Sequence, residues 1–261
     1  MNCRRARREA CKAHQSKELA KGLCAERSRP TEQPHAERRA SPAHTAALIV
    51  VILAVAITGT LLTQRGALPA LTAPQTAFAN RIVSQYLPLL LVNVSLTLYV
   101  STGFGRGCAL SALLGRVPRS FARASGDLAW AGFAFLLIQL IARFGHAAGA
   151  GRNAALAALL PGTVAERLTW LLVAFSVGCC EEIVYRGYLQ RQLIAFSGRV
   201  KVGILLQALL FGIAHAEQGV RAAAVIAVAG LVFGTLAWYR QSLVPGMVCH
   251  VAIDLLRGLS G

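Results

Sequence analysis

Two adjacent glutamates, Glu181 and Glu182, end the apolar run LTWLLVAFSVGCC, and Arg186 follows four residues after the second of them. A charged side chain in the middle of a bilayer costs on the order of 2.5–3.5 kcal/mol on insertion scales. Ionisable groups within apolar segments therefore indicate a functional site. The spacing predicts that Glu182 and Arg186 share one helix face and form an ion pair. Glu181 lies about 100° away around the helix, lacks this partner and can face a cavity.

Two histidines extend this pattern to other apolar segments. His215 ends the run FGIAH, with Phe211 one helical turn before it. His250 and Asp254 in HVAID are also one turn apart, so their side chains share a helix face. Three segments therefore each offer polar groups that can point toward one shared interior site.

One carboxylate with two imidazoles can activate a water molecule and stabilise an oxyanion, as hydrolysis of an amide bond requires. The same side chains, Glu181, His215 and His250, could instead bind zinc, because imidazole and carboxylate are usual zinc ligands. The zinc-protease pattern HExxH is absent, and HAEQG at His215 does not match it. The sequence contains no GxSxG motif either. The residues alone leave both interpretations open: hydrolysis without a cofactor, or zinc held by these three residues.

The segments that must position these groups are apolar enough to cross a membrane. Of the 261 residues, 55% are hydrophobic and 15% are charged, whereas soluble domains average about 25% charged residues. The sequence predicts an all-α fold over residues 45–261, a polytopic transmembrane bundle of about seven spans. The first of them, 45–62, has about the ~20 residues that a bilayer requires. The predicted spans are 45–62, 86–104, 128–144, a fourth from 168 that carries the glutamates, 202–216, 222–239 and 242–256.

The formal net charge is +16, and much of the basic excess lies in residues 1–44. This polar segment lacks the apolar content of a folded core, so we predict a disordered basic tail, solvated rather than held by anionic lipid. The positive-inside rule places the tail in the cytoplasm, on a multi-pass protein of the cell (plasma) membrane. The remaining basic residues are scattered between apolar segments, as membrane anchors are. Membrane lipid is therefore an expected partner, and nucleic acid is not.

Together the three motifs resemble those of the CPBP family of intramembrane proteases, which includes type 2 CAAX prenyl endopeptidases and bacteriocin-processing and self-immunity proteins. The pattern of that family is EExxxR, then FxxxH, then HxxxN or HxxxD, on successive parts of a helical bundle. In this chain the motifs are EEIVYR from Glu181, FGIAH ending at His215 and HVAID from His250. The resemblance covers roughly residues 165–257.

The resemblance implies a hydrolase, an intramembrane endopeptidase that cuts a membrane-associated or lipidated peptide or protein, with prenylated proteins among its substrates. The best-understood mechanism of that family is glutamate-based and needs no metal, so the resemblance implies no cofactor, with zinc as the alternative. In that mechanism Glu181 would polarise the attacking water with help from His215. His250 would stabilise the oxyanion, with Asp254 beside it. The other motif residues would give structural support to this site: Glu182, Arg186 and Phe211.

One residue departs from the prenyl endopeptidases, which carry asparagine at the position of Asp254. An ionised aspartate cannot donate a hydrogen bond to an oxyanion. Asp254 must therefore be protonated, or it orients His250 instead. The departure weakens the transfer of prenyl-protein specificity to this chain.

Two points compete with a peptidase. A non-catalytic membrane immunity protein or peptide-binding scaffold could use the same polar cluster, whereas a transporter is disfavoured because the halves of the chain do not repeat. In addition, with the N-terminus inside, the fifth span runs outward and places His215 near its outer end, whereas His250 lies in the inner half of the seventh span. A shared site therefore requires helices that are longer, tilted or offset relative to these boundaries.

Overall fold

The computed structural model describes residues 40–64, 81–103, 110–149 and 159–259. The tail predicted over 1–44 lies outside these residues except for 40–44. Every regular element within the described residues is helical, which confirms the predicted all-α class. The α-helices are α1 (Pro42–Gln64), α2 (Leu87–Thr102), α3 (Leu110–Leu114), α4 (Phe121–Ala147), α5 (Val164–Glu182), α6 (Gln190–Ser197), α7 (Val200–Ile213), α8 (Val220–Arg240) and α9 (Val244–Leu259). The described residues also contain two π-helical segments, Ile82–Tyr86 and Ile183–Leu189, and one 3₁₀ turn, Ala216–Gln218.

Five of the described helical segments are long and apolar enough to cross a membrane: Pro42–Gln64, Ile82–Thr102, Phe121–Ala147, Val164–Ser197 and Val220–Arg240. The predicted fifth and seventh spans are the shorter helices α7, of 14 residues, and α9, of 16 residues. Large apolar side chains point outward from the long helices; Leu136 and Leu172, for example, are 69% and 67% exposed. Exposed apolar surface of this kind marks contact with lipid. The chain is therefore an integral membrane protein.

Helix α4 begins at Phe121, before the predicted start of the third span at residue 128. The difference comes from Asp127, which is charged yet buried. Its Oδ1 accepts hydrogen bonds from Arg240 Nε at 3.0 Å and from Arg240 Nη2 at 2.6 Å. This ion pair compensates the buried carboxylate, so the helix continues through a turn that looks like a polar loop in the sequence.

The helix that carries the two glutamates has a well-defined start. Thr163 and Glu166 form a capping box: the Thr163 hydroxyl accepts from the Glu166 N–H at 3.2 Å, and Glu166 Oε2 accepts from the Thr163 N–H at 3.0 Å. Arg81 donates to the same oxygen at 2.8 Å and so joins the turn before α2 to α5. From this cap α5 continues through the π-helical turn into α6, so the site glutamates lie in the middle of one long segment, Val164–Ser197.

A glycine sets the distance between α5 and α9. A Cβ atom added at Gly178 would lie 2.7 Å from Val251 Cγ2 and 2.9 Å from Val251 N, closer than side-chain atoms approach in folded proteins. The two backbones therefore touch where only hydrogen fits. Gly178 lies one turn before Glu182, and Val251 directly follows His250. Close backbone contact at this point brings Glu182 and His250 within hydrogen-bond range.

Replacing Gly178 with alanine is expected to lower the thermal stability of the purified protein by about 1–3 kcal/mol, because α5 and α9 must move apart. Peptide cleavage should fall with it. Gly132→Ala is the matched control, since a Cβ atom at Gly132 meets nothing within 4 Å. The control should keep its stability, and unfolding followed in detergent compares the two variants. Equal behaviour of the two would show that the helix contact does not depend on Gly178.

Candidate active site

The four residues predicted to do chemistry line one cavity of about 440 Å³. Glu181 comes from the last turn of α5, and His215 follows the end of α7. His250 and Asp254 come from the middle and the C-terminal half of α9. The three segments that the motifs occupy are thus brought together at one place.

The structure brings His215 and His250 into the wall of one cavity, although the predicted span boundaries placed them at different depths. At 1.5 Å per residue the 14 residues of α7 span about 21 Å, less than the ~30 Å of a hydrocarbon core. A helix of this length does not cross a bilayer by itself, so its C-terminal end need not lie at the opposite surface. The two histidines meet because of how α7 and α9 are placed in the bundle.

His250 lies at the centre of the polar groups. Its Nε2 is 3.7 Å from Glu181 Oε2 and 3.7 Å from Asp254 Oδ2. Its Nδ1 forms a hydrogen bond of 3.1 Å with Glu182 Oε1. Because an ionised carboxylate only accepts hydrogen bonds, Nδ1 carries the proton in this bond. The ring therefore presents Nε2 to Glu181 and Asp254.

The ion pair predicted between Glu182 and Arg186 is present. Arg186 NH1 donates to Glu182 Oε1 at 2.9 Å, and both side chains are fully buried. Sequence reasoning assigned Glu182 only this partner, but the same oxygen also accepts from His250. Glu182 thus connects the buried arginine to the histidine of another helix, a link that no spacing within one segment can reveal.

Phe211, the first residue of the second motif, packs among the groups that it was predicted to support. The guanidinium of Arg186 lies 4.3 Å from its ring centroid. The imidazole centroids of His215 and His250 lie 4.9 Å and 6.1 Å away. One aromatic ring therefore contacts the buried cation and lies close to both histidines.

The backbone holds His215 in one orientation. Its Nδ1 is 2.8 Å from the carbonyl oxygen of Phe211, which can only accept a hydrogen bond. This contact places a proton on Nδ1 and, in a neutral ring, leaves a lone pair on Nε2. His215 can therefore accept a proton inside the cavity.

Sequence reasoning missed two aromatic residues of the site. Phe233 of α8 stacks on His250 with centroids 5.2 Å apart and an angle of 18° between the rings. Trp170 of α5 donates from Nε1 to the backbone oxygen of Asp254 at 2.9 Å. Aromatic residues are common in apolar helices, and no pattern distinguishes these two from packing residues. Only the tertiary fold identifies them.

No group of three or more His, Cys, Asp or Glu side chains among the described residues is arranged to hold a metal ion. The donor set named in the zinc alternative, Glu181, His215 and His250, does not meet that arrangement. The hydrogen bond from Nδ1 of His250 to Glu182 leaves Nε2 available, as in histidines that bind metals. Zinc at these three residues therefore stays an alternative prediction, and the reaction steps proposed for this site do not use it.

Fold and site together define a class: membrane-embedded helical proteins in which glutamate, histidine and aspartate side chains line an interior cavity. Residues 163–256 match the family model described as Rce1-like, type II CAAX prenyl endopeptidase. The match contains all three motifs and confirms the resemblance to the CPBP family, and it supports an intramembrane endopeptidase of the CAAX type. Comparison with curated proteins and with solved structures finds no significant match.

Proposed function

We propose that this protein hydrolyses a peptide bond near the C-terminus of a membrane-associated, lipidated peptide or protein, with Glu181, His215, His250 and Asp254 as its catalytic residues. The observation that carries the proposal is that all four line one cavity among apolar helices. Its volume of about 440 Å³ falls in the range of about 300–1,000 Å³ of pockets that enclose ligands. The largely apolar lining of the cavity suits the prenyl group of a prenylated cysteine.

Glu181 and His215 activate the attacking water in this proposal. Glu181 Oε2 is buried and has no hydrogen-bond partner among the described residues, so it can accept from a water in the cavity. His215 offers its Nε2 lone pair to the same space. As the water oxygen bonds to the carbonyl carbon, one of these two groups takes its proton. The proton then passes to the amine as the C–N bond breaks.

His250 stabilises the oxyanion that forms on the carbonyl oxygen. Its Nδ1 proton is engaged by Glu182, so it can donate to the oxyanion from Nε2 only as a doubly protonated ring. Glu181 and Asp254, each 3.7 Å from Nε2, balance the positive charge of that ring. Asp254 therefore acts on His250 and does not need to donate a hydrogen bond itself. Asparagine is not required at this position.

The test is cleavage of a fluorogenic peptide with a farnesylated C-terminal CAAX sequence by the purified protein in liposomes. We expect one cut near the C-terminus, located by mass spectrometry, and slower cleavage of the unprenylated peptide. A zinc chelator should leave the rate unchanged, because no metal takes part in the proposed steps. His215→Ala should lower the rate by about 10²-fold or more. A peptide left intact by wild-type protein would favour the non-catalytic peptide-binding scaffold.

A further inference from the structure

One face of α9 carries a third polar residue beyond the two that belong to the third motif. His250, Asp254 and Arg257 occupy positions i, i+4 and i+7, and all three line the same cavity. Arg257 lies about 10 Å along the helix axis from His250 at 1.5 Å per residue. It directly follows the segment 163–256 that matches the family. The proposed chemistry gives it no role.

Arg257 is exposed. Within the part of the chain that the structure describes, no ion pair or hydrogen bond involves its guanidinium. A basic residue in the last turn of a helix interacts favourably with the helix dipole, and this accounts for a cation at the end of α9. It does not account for a cation in the wall of the catalytic cavity, where the helix face already carries His250 and Asp254.

The surroundings of Arg257 indicate what it would recognise. Most of the cavity wall is apolar, with side chains from several helices, among them Val55, Leu89, Val92, Val173 and Ile253. A guanidinium at the edge of an apolar wall attracts an anionic group and pairs with a carboxylate through two parallel hydrogen bonds. An apolar peptide that ends in a free carboxylate matches both features.

We propose that Arg257 binds the terminal carboxylate of the substrate, two to three residues beyond the bond that is cut. The spacing follows from the distance along α9: an extended chain advances about 3.3–3.6 Å per residue, so ~10 Å corresponds to three residues. Side chains on a helix lean toward its N-terminus, and the arginine side chain is longer than the imidazole. The guanidinium is therefore nearer to His250 than the axial distance suggests, and a spacing of two residues also fits. The inference rests on the proposed function, since it assigns a substrate group to the same cavity.

The first experiment measures binding instead of cleavage, so that its result does not depend on turnover. Full-length protein carrying Glu181→Gln is titrated with a fluorescent farnesylated peptide that ends in a free carboxylate and with the same peptide as its C-terminal amide. We expect the carboxylate form to bind about 10-fold more tightly, and Arg257→Gln to remove this difference. Arg143→Gln is the matched control, because Arg143 is an exposed arginine outside the cavity wall. If Arg257→Gln lowers the affinity for both peptides equally, the proposal is overturned.

The second experiment separates the substrate carboxylate from a lipid phosphate, which has the same chemistry for an arginine. The titrations are repeated in phosphatidylcholine vesicles with and without phosphatidylglycerol. A carboxylate site predicts the same Arg257→Gln effect in both. An effect that appears only with phosphatidylglycerol, and equally for both peptides, would assign Arg257 to lipid and overturn the inference.

Cleavage by protein with the native Glu181 distinguishes the two proposals. If Arg257 is the carboxylate site, Arg257→Gln lowers kcat/KM about 10-fold for the carboxylate peptide, mainly through KM, and leaves the amide unchanged. If neither peptide is cut although the binding difference depends on Arg257, the peptidase proposal fails and the carboxylate site stands. If both peptides are cut and Arg257→Gln affects them equally, the carboxylate site fails and the peptidase stands.

Discussion

Glu181→Gln is expected to lower kcat/KM for peptide cleavage by about 10²–10⁴-fold, the usual contribution of a positioned general base. Glutamine keeps the shape of the side chain but cannot accept a proton from water. The carboxylate oxygen of Glu181 that faces His250 at 3.7 Å has no hydrogen-bond partner among the described residues, so the substitution breaks no hydrogen bond there. Thermal unfolding should therefore stay near that of the wild type while the initial rate in liposomes falls.

Glu217→Gln is the matched control for this prediction. Glu217 also lines the cavity, from the 3₁₀ turn after His215, but no step of the proposed reaction uses it. The same chemical change at this position should leave kcat within a few-fold of the wild type. A scaffold that only binds peptide would instead tolerate both glutamine variants equally, and that outcome would remove Glu181 from the mechanism.

A double variant tests whether Glu181 and His215 act on the same water molecule. If they do, Glu181→Gln combined with His215→Ala costs little more than the larger single loss, because removing either group disables one step. Losses that multiply would indicate independent roles, with His215 acting on the substrate or on the leaving amine. Single-turnover cleavage of the farnesylated peptide separates these cases from changes in product release.

The sequence was sufficient for the all-α class, for most of the helical segments and for four polar residues that line the cavity. Apolar length and one-turn spacings contain that information locally. Glu182 and Arg186, for example, are four residues apart, and their ion pair depends on no other helix. The four residues predicted to be catalytic could be selected from the sequence because an ionisable side chain within an apolar segment is costly and therefore rare.

The rest depended on contacts between distant parts of the chain. The hydrogen bond between Glu182 and His250 spans 68 positions, and the stacking of Phe233 on His250 joins two helices. The placement of the helices also mattered. The predicted fifth span, 202–216, has nearly the length of α7, but periodicity could not show that the end of this helix lies beside α5 and α9, where His215 joins the other groups. The roles assigned to the catalytic residues remain predictions.

The second large effect is expected at the buried pair of Glu182 and Arg186. Arg186→Met leaves the carboxylate of Glu182 buried without its cation, which costs about 3–5 kcal/mol of stability. Replacing both charges, as Glu182→Leu with Arg186→Met, should restore most of that stability, because well-packed apolar residues often substitute for a buried ion pair without loss. Chemical or thermal unfolding in detergent measures both changes.

Activity should not follow stability in this series, because Glu182 also accepts the Nδ1 proton of His250. The protein with Glu182→Leu and Arg186→Met folds but no longer orients the imidazole of His250. We expect its kcat to stay about 10²-fold below that of the wild type, the cost of a misplacement of about 1 Å. Glu182→Gln with Arg186→Met keeps an acceptor oxygen and should recover part of kcat. The Asp127–Arg240 pair is the matched control: Arg240→Met should lower stability while the folded fraction keeps its kcat. Full recovery of kcat in the protein with Glu182→Leu and Arg186→Met would show that Glu182 acts only as the counter-ion of Arg186.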